Sequence, residues 1–383
     1  MHPSDSPLAL YVHWPFCVSK CPYCDFNSHV RAEIDQTVWR DALLADLAHE
    51  AGRLPGRTLG SIFFGGGTPS LMPPATVAAV IDAATRAWPP VDGIEITLEA
   101  NPSSVEAARF ADLASAGINR LSLGLQALDD EALRFLGRAH NLAEGRAALD
   151  VAQRHFGRVS FDLIYARPGQ SEAEWMAELE QALSFGTEHL SLYQLTIEPG
   201  TRFETLVRTG AFAPVDADDA ATLFECTQAR TAQAGLPAYE VSNHARPGAE
   251  SRHNLTYWRY GDYAGIGPGA HGRRQGLATT RHRKPENWLA AIARRGDGLQ
   301  TEEPLSIAEQ AREALLMGLR LAEGVNPAAL ARRFSLAEDA LLHQRQVELL
   351  SKEGLLSRTD ERLCVTPQGM LLLDAILAAV VAA

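Results

Sequence analysis

No uninterrupted apolar run in this sequence reaches the ~18 residues that a membrane-spanning helix requires. The richest one, the C-terminal LLLDAILAAVVAA, is broken by Asp374, so the chain reads as one that folds in water and is not integral to a membrane. The first residues, MHPSDSPLALYVHW, lack a basic segment followed by an apolar one, which argues against a secretory leader and for the cytoplasm. An excess of basic charge is missing as well. Lys and Arg number 35 against 47 Asp and Glu, a formal net charge of −12, which excludes the cationic surface of a general nucleic-acid binder. One local exception is RRQGLATTRHRK, Arg273 to Lys284, either a seat for an anionic ligand or a solvated basic face. Cysteine is scarce, and an odd total of five in a reducing compartment excludes a disulfide framework.

What is present is a regular alternation of strand-like and helix-like stretches. The strands read LALYVHW, LGSIFFGG, GIEITLEAN, INRLSLGLQ, RVSFDLIYA and EHLSLYQLT. Between the first two, Trp39, Leu43 and Leu47 recur at i+4 and share one helix face. Alternating strands and helices imply a parallel sheet with right-handed crossovers. Within the strands, apolar and polar residues alternate: Ile94, Ile96 and Leu98 oppose Glu95, Thr97 and Glu99, Leu121, Leu123 and Leu125 oppose Ser122, Gly124 and Gln126, and Val159, Phe161 and Leu163 oppose Ser160 and Asp162. A parallel sheet covered by helices on both faces would read as nearly continuous aliphatics. Polar inner faces instead predict a partial (β/α)6 barrel of the TIM type, with a hydrophilic lumen that is either a binding site or a satisfied buried network. At the carboxyl ends of the strands, where barrel enzymes carry their sites, stand Cys17, the glycine run GGGTP (Gly65 to Pro69), Glu99, Gln126 and Asp162. The glycine run is read as a close backbone approach that leaves N–H groups free for a ligand carboxylate or phosphate.

Three of the five cysteines fall in WPFCVSKCPYCDF, with spacing C-x3-C-x2-C at Cys17, Cys21 and Cys24. CPYC alone is the dithiol pattern of glutaredoxin-like proteins. Zinc could take the three thiols with His13 or His29, although structural zinc sites usually come as two separated pairs. Three thiolates on one short loop also suit a four-iron four-sulfur cluster with one iron left open, able to chelate the amino and carboxylate groups of a cofactor.

This spacing after a first strand resembles the radical S-adenosylmethionine (SAM) superfamily. There the open iron binds SAM, and an electron from the cluster cleaves it to a 5′-deoxyadenosyl radical. YVHWPFC, GGGTP, LEANP, LSLGLQ, LGRAH and FDLIYARPGQ, strung between Tyr11 and Gln170, narrow the resemblance to the oxygen-independent coproporphyrinogen III oxidase-like group, closest to the HemW-type heme chaperones. It implies a 4Fe-4S cluster on Cys17, Cys21 and Cys24, with SAM near Tyr11, Gly66, Gly67, Thr68, Glu99, Gln126, Arg138 and Asp162. The oxidase pattern continues with a further cysteine where Phe26 stands here, and has a long extension where ten residues precede Tyr11. CPYCDFNSH and HNLTYW (His253 to Trp258) match the chaperones instead. The resemblance then implies heme as cargo, with His253, Tyr257 and Trp258 as candidate contacts and His271, in GIGPGAHG, as a rival ligand. A histidine beside aromatics is also an ordinary packed residue. Implied partners are heme, heme-accepting apoproteins and an electron donor such as a flavodoxin or ferredoxin; pairing of two chains and cleavage of SAM stay open. The competing readings are a radical enzyme acting on a tetrapyrrole, coproporphyrinogen dehydrogenase among them, and a radical tRNA-modifying enzyme, which would need a basic face.

The sequence divides into a barrel over 1–240, a connecting segment over 241–300 and a smaller, mainly helical unit over 301–383. In the last, AEQAREALLMGLRL and DALLHQRQVELLSKEG have helical periodicity, and GLLSRTDERLCVTPQG reads as a hairpin wing. Its turn carries no net basic charge, so it is read as a cap or a protein-contact surface. Cys364 is read as a buried structural residue.

Overall fold

The structure, a computed structural model, describes residues 6–31 and 33–382; the first part of the N-terminal stretch read above lies outside the described residues. The six alternating segments form β1 (Leu8–Trp14), β2 (Leu59–Gly66), β3 (Pro90–Ala100), β4 (Arg120–Gln126), β5 (Arg158–Tyr165) and β6 (His189–Gln194). Each strand pairs in parallel with the next. Crossover helices include α1 (Gln36–Arg53), α2 (Pro74–Ala87), α3 (Leu142–His155) and α4 (Glu172–Ser184). Their starts are set by side chains that satisfy the first free N–H groups: Asp35 accepts from Thr37 and Val38, while Asn141 with Glu144 and Ser171 with Glu174 form capping boxes.

The alternation sorts the two sheet faces as expected. Ile96, Leu98, Leu121, Leu123, Phe161 and Leu163 join Leu43, Val77, Leu149 and Trp175 in one outer core. Glu99, Ser122, Ser160 and His189 lie in register across β3 to β6 and form a polar layer of the lumen. Trp39, Leu43 and Leu47 are all buried.

The sheet is larger than six strands. β7 (Asn243–Ala245) adds antiparallel to β6, and the chain then crosses to the far edge through α5 (Arg252–Trp258). There β8 (Tyr263–Ile266) pairs in parallel with β1, and β9 (His271–Arg274), β10 (Leu277–Arg281) and β11 (Leu299–Pro304) follow antiparallel, with α6 (Pro285–Arg295) between the last two. The eleven strands run β11-β10-β9-β8-β1-β2-β3-β4-β5-β6-β7. Most of these added strands have three to five residues, and β9 and β10 carry arginines, so they give little strand signal in the sequence.

The basic stretch from Arg273 to Lys284 is divided by this placement: Arg283 and Lys284 are exposed, as a solvated basic face would be, but the other three arginines are not. Arg273, Arg274 and Arg281 are buried, and they neither face solvent nor await an anion. Arg281 and Arg274 both pair with Glu50 on α1, Arg281 also with Asp46 and Arg274 also with Glu302. Arg273 lies over the Tyr260 ring. Asp46 in addition accepts from the N–H groups of Gly267 and Gly298 and from Trp288 Nε1. Burying these charges is tolerable because Arg274 and Arg281 are paired with carboxylates, while Arg273 donates to Gly261 O and rests on an aromatic ring.

A second apolar cluster holds the C-terminal unit: α7 (Ile307–Gly318), α8 (Pro327–Phe334), α9 (Gln344–Lys352) and α10 (Leu373–Val380), with a hairpin of Leu356–Arg358 against Leu363–Val365. The second expected helix is shorter than its periodicity suggests. Leu341 and Leu342 are buried in an irregular turn, where His343 N–H donates to Val380 O, so α9 starts only at Gln344. Cys364 is half-buried rather than buried, since it points away from the face that hides Leu363 and Val365, and its Sγ bonds Glu323 O at 3.3 Å. Among the described residues no helix is long and apolar enough to cross a membrane.

Candidate functional site

The loop after β1 is closed by a short parallel pairing of Phe16–Cys17 with His29–Val30. All three of its cysteines are free and partly exposed. Thr68 Oγ1 donates to Cys17 Sγ at 3.5 Å, Arg138 donates to Cys21 Sγ at 3.3 Å, and Ser28 Oγ lies 3.7 Å from Cys24 Sγ. Burial pushes the Cys17 thiol up, so without a metal it is held neutral.

The three thiols border one cavity of about 430 Å³, whose wall also includes Gly66, Gly67, Thr68, Glu99, Gln126, Arg138 and Asp162. Every residue expected around SAM except Tyr11 therefore meets the cysteines in a single space. Among the described residues, no three His, Cys, Asp or Glu side chains converge on one metal ion. The zinc set is not assembled either: His13 is hydrogen-bonded to Tyr11 and to Asn27 O, and His29 to the Asn27 side chain. Three thiols around a cavity, two of them with donors aimed at sulfur, fit a multi-iron cluster, whose sulfurs take such bonds.

The glycine run acts differently from its sequence reading. Its N–H groups are not free for a ligand: Gly66 donates to Glu99 Oε2 at 3.2 Å, Gly67 to Trp14 O at 2.7 Å and Thr68 to Phe16 O at 2.8 Å. The run is glycine because the backbone here is crowded. A Cβ on Gly67 would meet the Phe16 backbone at 2.7 Å, and one on Gly66, whose φ is +114°, would meet the His13 ring at 2.6 Å. The segment thus fixes the cysteine loop against β1 and β2.

Burial, with the charge of Asp162 adding to it, pushes the Glu99 carboxyl up to about 8. Asp162 is pushed up to about 6 by burial, against the opposing effects of Ser191, Arg120 and Arg138. Two carboxyls held off full ionisation beside a cavity suit recognition of an ammonium or hydroxyl group. Gln126 has a φ of 70°, a left-handed conformation rare outside glycine, at an irregular step in the β4–β5 pairing. Asn101 was missed by the sequence reading. It accepts from Arg138 at 2.5 Å and donates to Thr68 at 3.1 Å, tying two donors to cysteine sulfur together. It lies two residues beyond Glu99, so the strand alternation itself was the signal that could have found it.

Behind this cavity lies a smaller chamber of about 220 Å³. It shares Glu99, Ser122 and Asp162 with the outer cavity and is lined by Tyr11, Phe63, Arg120, His189, His253 and Tyr257 among others. The expected heme trio is divided. His253 and Tyr257, four apart on α5, face the chamber, whereas Trp258 lines a separate groove. His253 is buried; its Nδ1 bonds Ser61 Oγ at 2.9 Å, its Nε2 bonds Tyr257 Oη at 2.5 Å, and its ring stacks on Phe63. Burial and the Arg120 charge push it down to about 3. Neither nitrogen is available to an iron in this conformation. His271 is exposed at the start of β9, and its ring has no hydrogen-bond partner among the described residues.

Residues 11–182 match the model of the radical SAM superfamily, and residues 305–372 that of the HemN C-terminal domain. The chain is 41% identical to the mitochondrial radical S-adenosyl methionine domain-containing protein 1 of Bos taurus, over 98% of this chain and 87% of that protein. To the heme chaperone HemW of Escherichia coli K12 it is 38% identical, over 97% of both chains. Its fold also matches the solved structure of the coproporphyrinogen III oxidase HemN of Escherichia coli, with a TM-score of 0.82 and 23% identity over 98% of this chain and 90% of that one. With the cysteine cavity at the carboxyl ends of a polar-lined partial barrel, these relationships show that the chain belongs to the radical SAM superfamily, alongside the HemW heme chaperones.

Proposed function

We propose that this protein binds heme and delivers it to heme-requiring apoproteins, on a scaffold that holds a 4Fe-4S cluster through Cys17, Cys21 and Cys24 and SAM in the adjoining cavity. The observation that carries the cofactor part is the meeting of three free thiols with Gly66 to Thr68, Glu99, Gln126, Arg138 and Asp162 around one space of about 430 Å³. The cluster would supply an open iron for the amino and carboxylate groups of SAM and an electron. Around it, Thr68 and Arg138 hold Cys17 and Cys21 by hydrogen bonds to sulfur, Glu99 and Asp162 offer acceptors to the polar end of the cofactor, and Gln126 is fixed at the rim by its backbone. Tyr11 stands one layer deeper and orients His13 through a 3.0 Å bond.

The chaperone reading is supported by Phe26, exposed at the cavity mouth where the oxidase pattern has a cysteine, by the HNLTYW stretch and by the HemW relatives. The size of the inner chamber supports it too. At about 220 Å³ it falls below the ~300 Å³ of ordinary small-molecule sites, which is small for a porphyrinogen substrate.

Anaerobic reconstitution with iron and sulfide, followed by incubation with coproporphyrinogen, SAM and a reductant, tests the reading. The expected result is no decarboxylated product, together with saturable uptake of heme that an apo-hemoprotein then withdraws. Steady formation of protoporphyrinogen would falsify the chaperone assignment in favour of the oxidative decarboxylase.

A further inference from the structure

Three cysteines fix where a cluster would sit, but not how readily it takes up an electron. That depends in part on the hydrogen bonds its sulfurs receive, because donors stabilise the more negative, reduced form and so raise the reduction potential. We infer that Asn101 is a positioning residue that raises this potential, by holding Thr68 and Arg138 as donors to Cys17 and Cys21; this rests on the cluster reading above.

The orientation of the Asn101 amide follows from donor and acceptor chemistry. A guanidinium has no acceptor, so the atom that meets Arg138 Nη2 at 2.5 Å must be Oδ1. Nδ2 then faces Thr68 and donates to its Oγ1 at 3.1 Å. A hydroxyl that accepts there still has one hydrogen to give, and the Thr68 hydroxyl gives it to Cys17 Sγ at 3.5 Å. On the other side, Arg138 Nη2 is occupied by Asn101 and by Gly124 O at 3.0 Å. This leaves Nη1 turned to Cys21 Sγ at 3.3 Å and to the Tyr23 hydroxyl at 3.5 Å. One amide thereby sets the direction of two bonds to sulfur, one of them from a charged donor.

Asn101 is itself held in place on the wall of the cavity that the three thiols border. Its N–H donates to Glu106 Oε2 at 2.8 Å, and the buried Glu106 also accepts from Ser70 Oγ. Pro102 follows in the chain and restricts the Asn101 backbone to extended conformations. The side chain therefore arrives already aimed. Asn101→Asp keeps its shape but has no hydrogen to give: the carboxylate would retain Arg138 and accept from the Thr68 hydroxyl, drawing that hydrogen away from Cys17.

The test is a redox titration of the cluster-reconstituted full chain without SAM, followed by electron paramagnetic resonance of the reduced form. Asn101→Asp should lower the midpoint potential by about 59 mV, a tenfold change in a one-electron equilibrium. Thr68→Val, which removes the hydroxyl at similar size, should lower it as well. In that background Asn101→Asp should add less than it does in wild type, because the bond it withdraws is already gone; the added negative charge accounts for the remainder. Asn101→Ala, which deletes the amide without adding charge, should shift the potential the same way by less, and it supplies the readout if Asn101→Asp loads iron poorly. A merely structural Asn101 would change the iron content and leave the potential of the loaded fraction where it was. Wild-type potentials in both Asn101 variants, or an Asn101→Asp shift undiminished by Thr68→Val, would overturn the inference with the cluster reading intact. If wild type itself shows no 4Fe-4S signal, it is the cluster reading that fails.

Discussion

At Glu99 the physical cost of the site is most visible. Its carboxyl is held up to about 8, chiefly by burial and then by Asp162, so the folded chain keeps a proton that the unfolded chain releases near 4.5. A raised acid of this kind contributes stability at low pH that is lost as pH climbs through its folded value. Above about 7.5, where the histidines of the unfolded chain are mostly neutral, Glu99 should dominate this slope. Measured without SAM, the melting temperature of wild type should fall between about pH 7.5 and 9, and that of Glu99→Gln should stay flatter; parallel curves would remove Glu99 as the cause. Gly67 makes a steric claim instead. Its Cβ would stand 2.7 Å from Phe16 O, so Gly67→Ala should displace the cysteine loop and lower iron content after reconstitution, with only a modest change in melting temperature. Full iron loading would contradict the positioning role. Strand alternation made Glu99 and Asp162 legible before any fold was known. It could not show that the Gly66 and Gly67 N–H groups would be taken by Glu99 and Trp14, because those bonds join segments distant in sequence.

Among the elements, α1 and the β9–β10 hairpin show why part of the fold was hidden. Trp39, Leu43 and Leu47 announce the buried face of α1, but Asp46 and Glu50 share that burial, and a carboxylate inside a helix interface reads as an exposed residue until its partner is known. The partners, Arg274 and Arg281, lie 224 and 235 residues away along the chain, in a stretch that looks like a basic surface. Each half of the network disguises the other. Removing one side should be costly: Asp46→Ala leaves Arg281, Trp288 Nε1 and two backbone N–H groups short of an acceptor, an expected loss of about 3–5 kcal/mol. Urea unfolding followed by circular dichroism measures this, and a loss below about 1 kcal/mol would mean that the network behaves like a surface pair. The six parallel strands were legible because each runs over six or more residues and three of them alternate clearly, whereas β7 and β8 have three and four and offer too short a period to read.

For the whole molecule, burial holds several histidines in and around the polar lumen in their neutral form. Burial pushes His13, His140 and His244 down to about 4 and His253 to about 3, from an ordinary value of 6.5. A base with a lowered folded value gives stability that is full above 6.5 and declines as pH falls below it, because the unfolded chain gains the protons first. The urea midpoint should therefore drop markedly between about pH 6.5 and 5, and a flat midpoint there would show these rings to be accessible. The partial barrel, the cysteine loop and much of the wall of the adjoining cavity could be read from sequence, since they follow from short-range spacing and alternation. The eleven-stranded extension, the divided heme trio and the groove beside Trp258 could not, since they depend on which distant segments meet. All of these functional readings depend on one iron left open by three cysteines. Electron paramagnetic resonance of the anaerobically reconstituted, reduced chain, recorded with and without SAM, tests this most directly. The account predicts a 4Fe-4S signal that changes when SAM is added and is lost in Cys21→Ala. A signal indifferent to SAM, or a chain that takes up zinc and no iron, would contradict it.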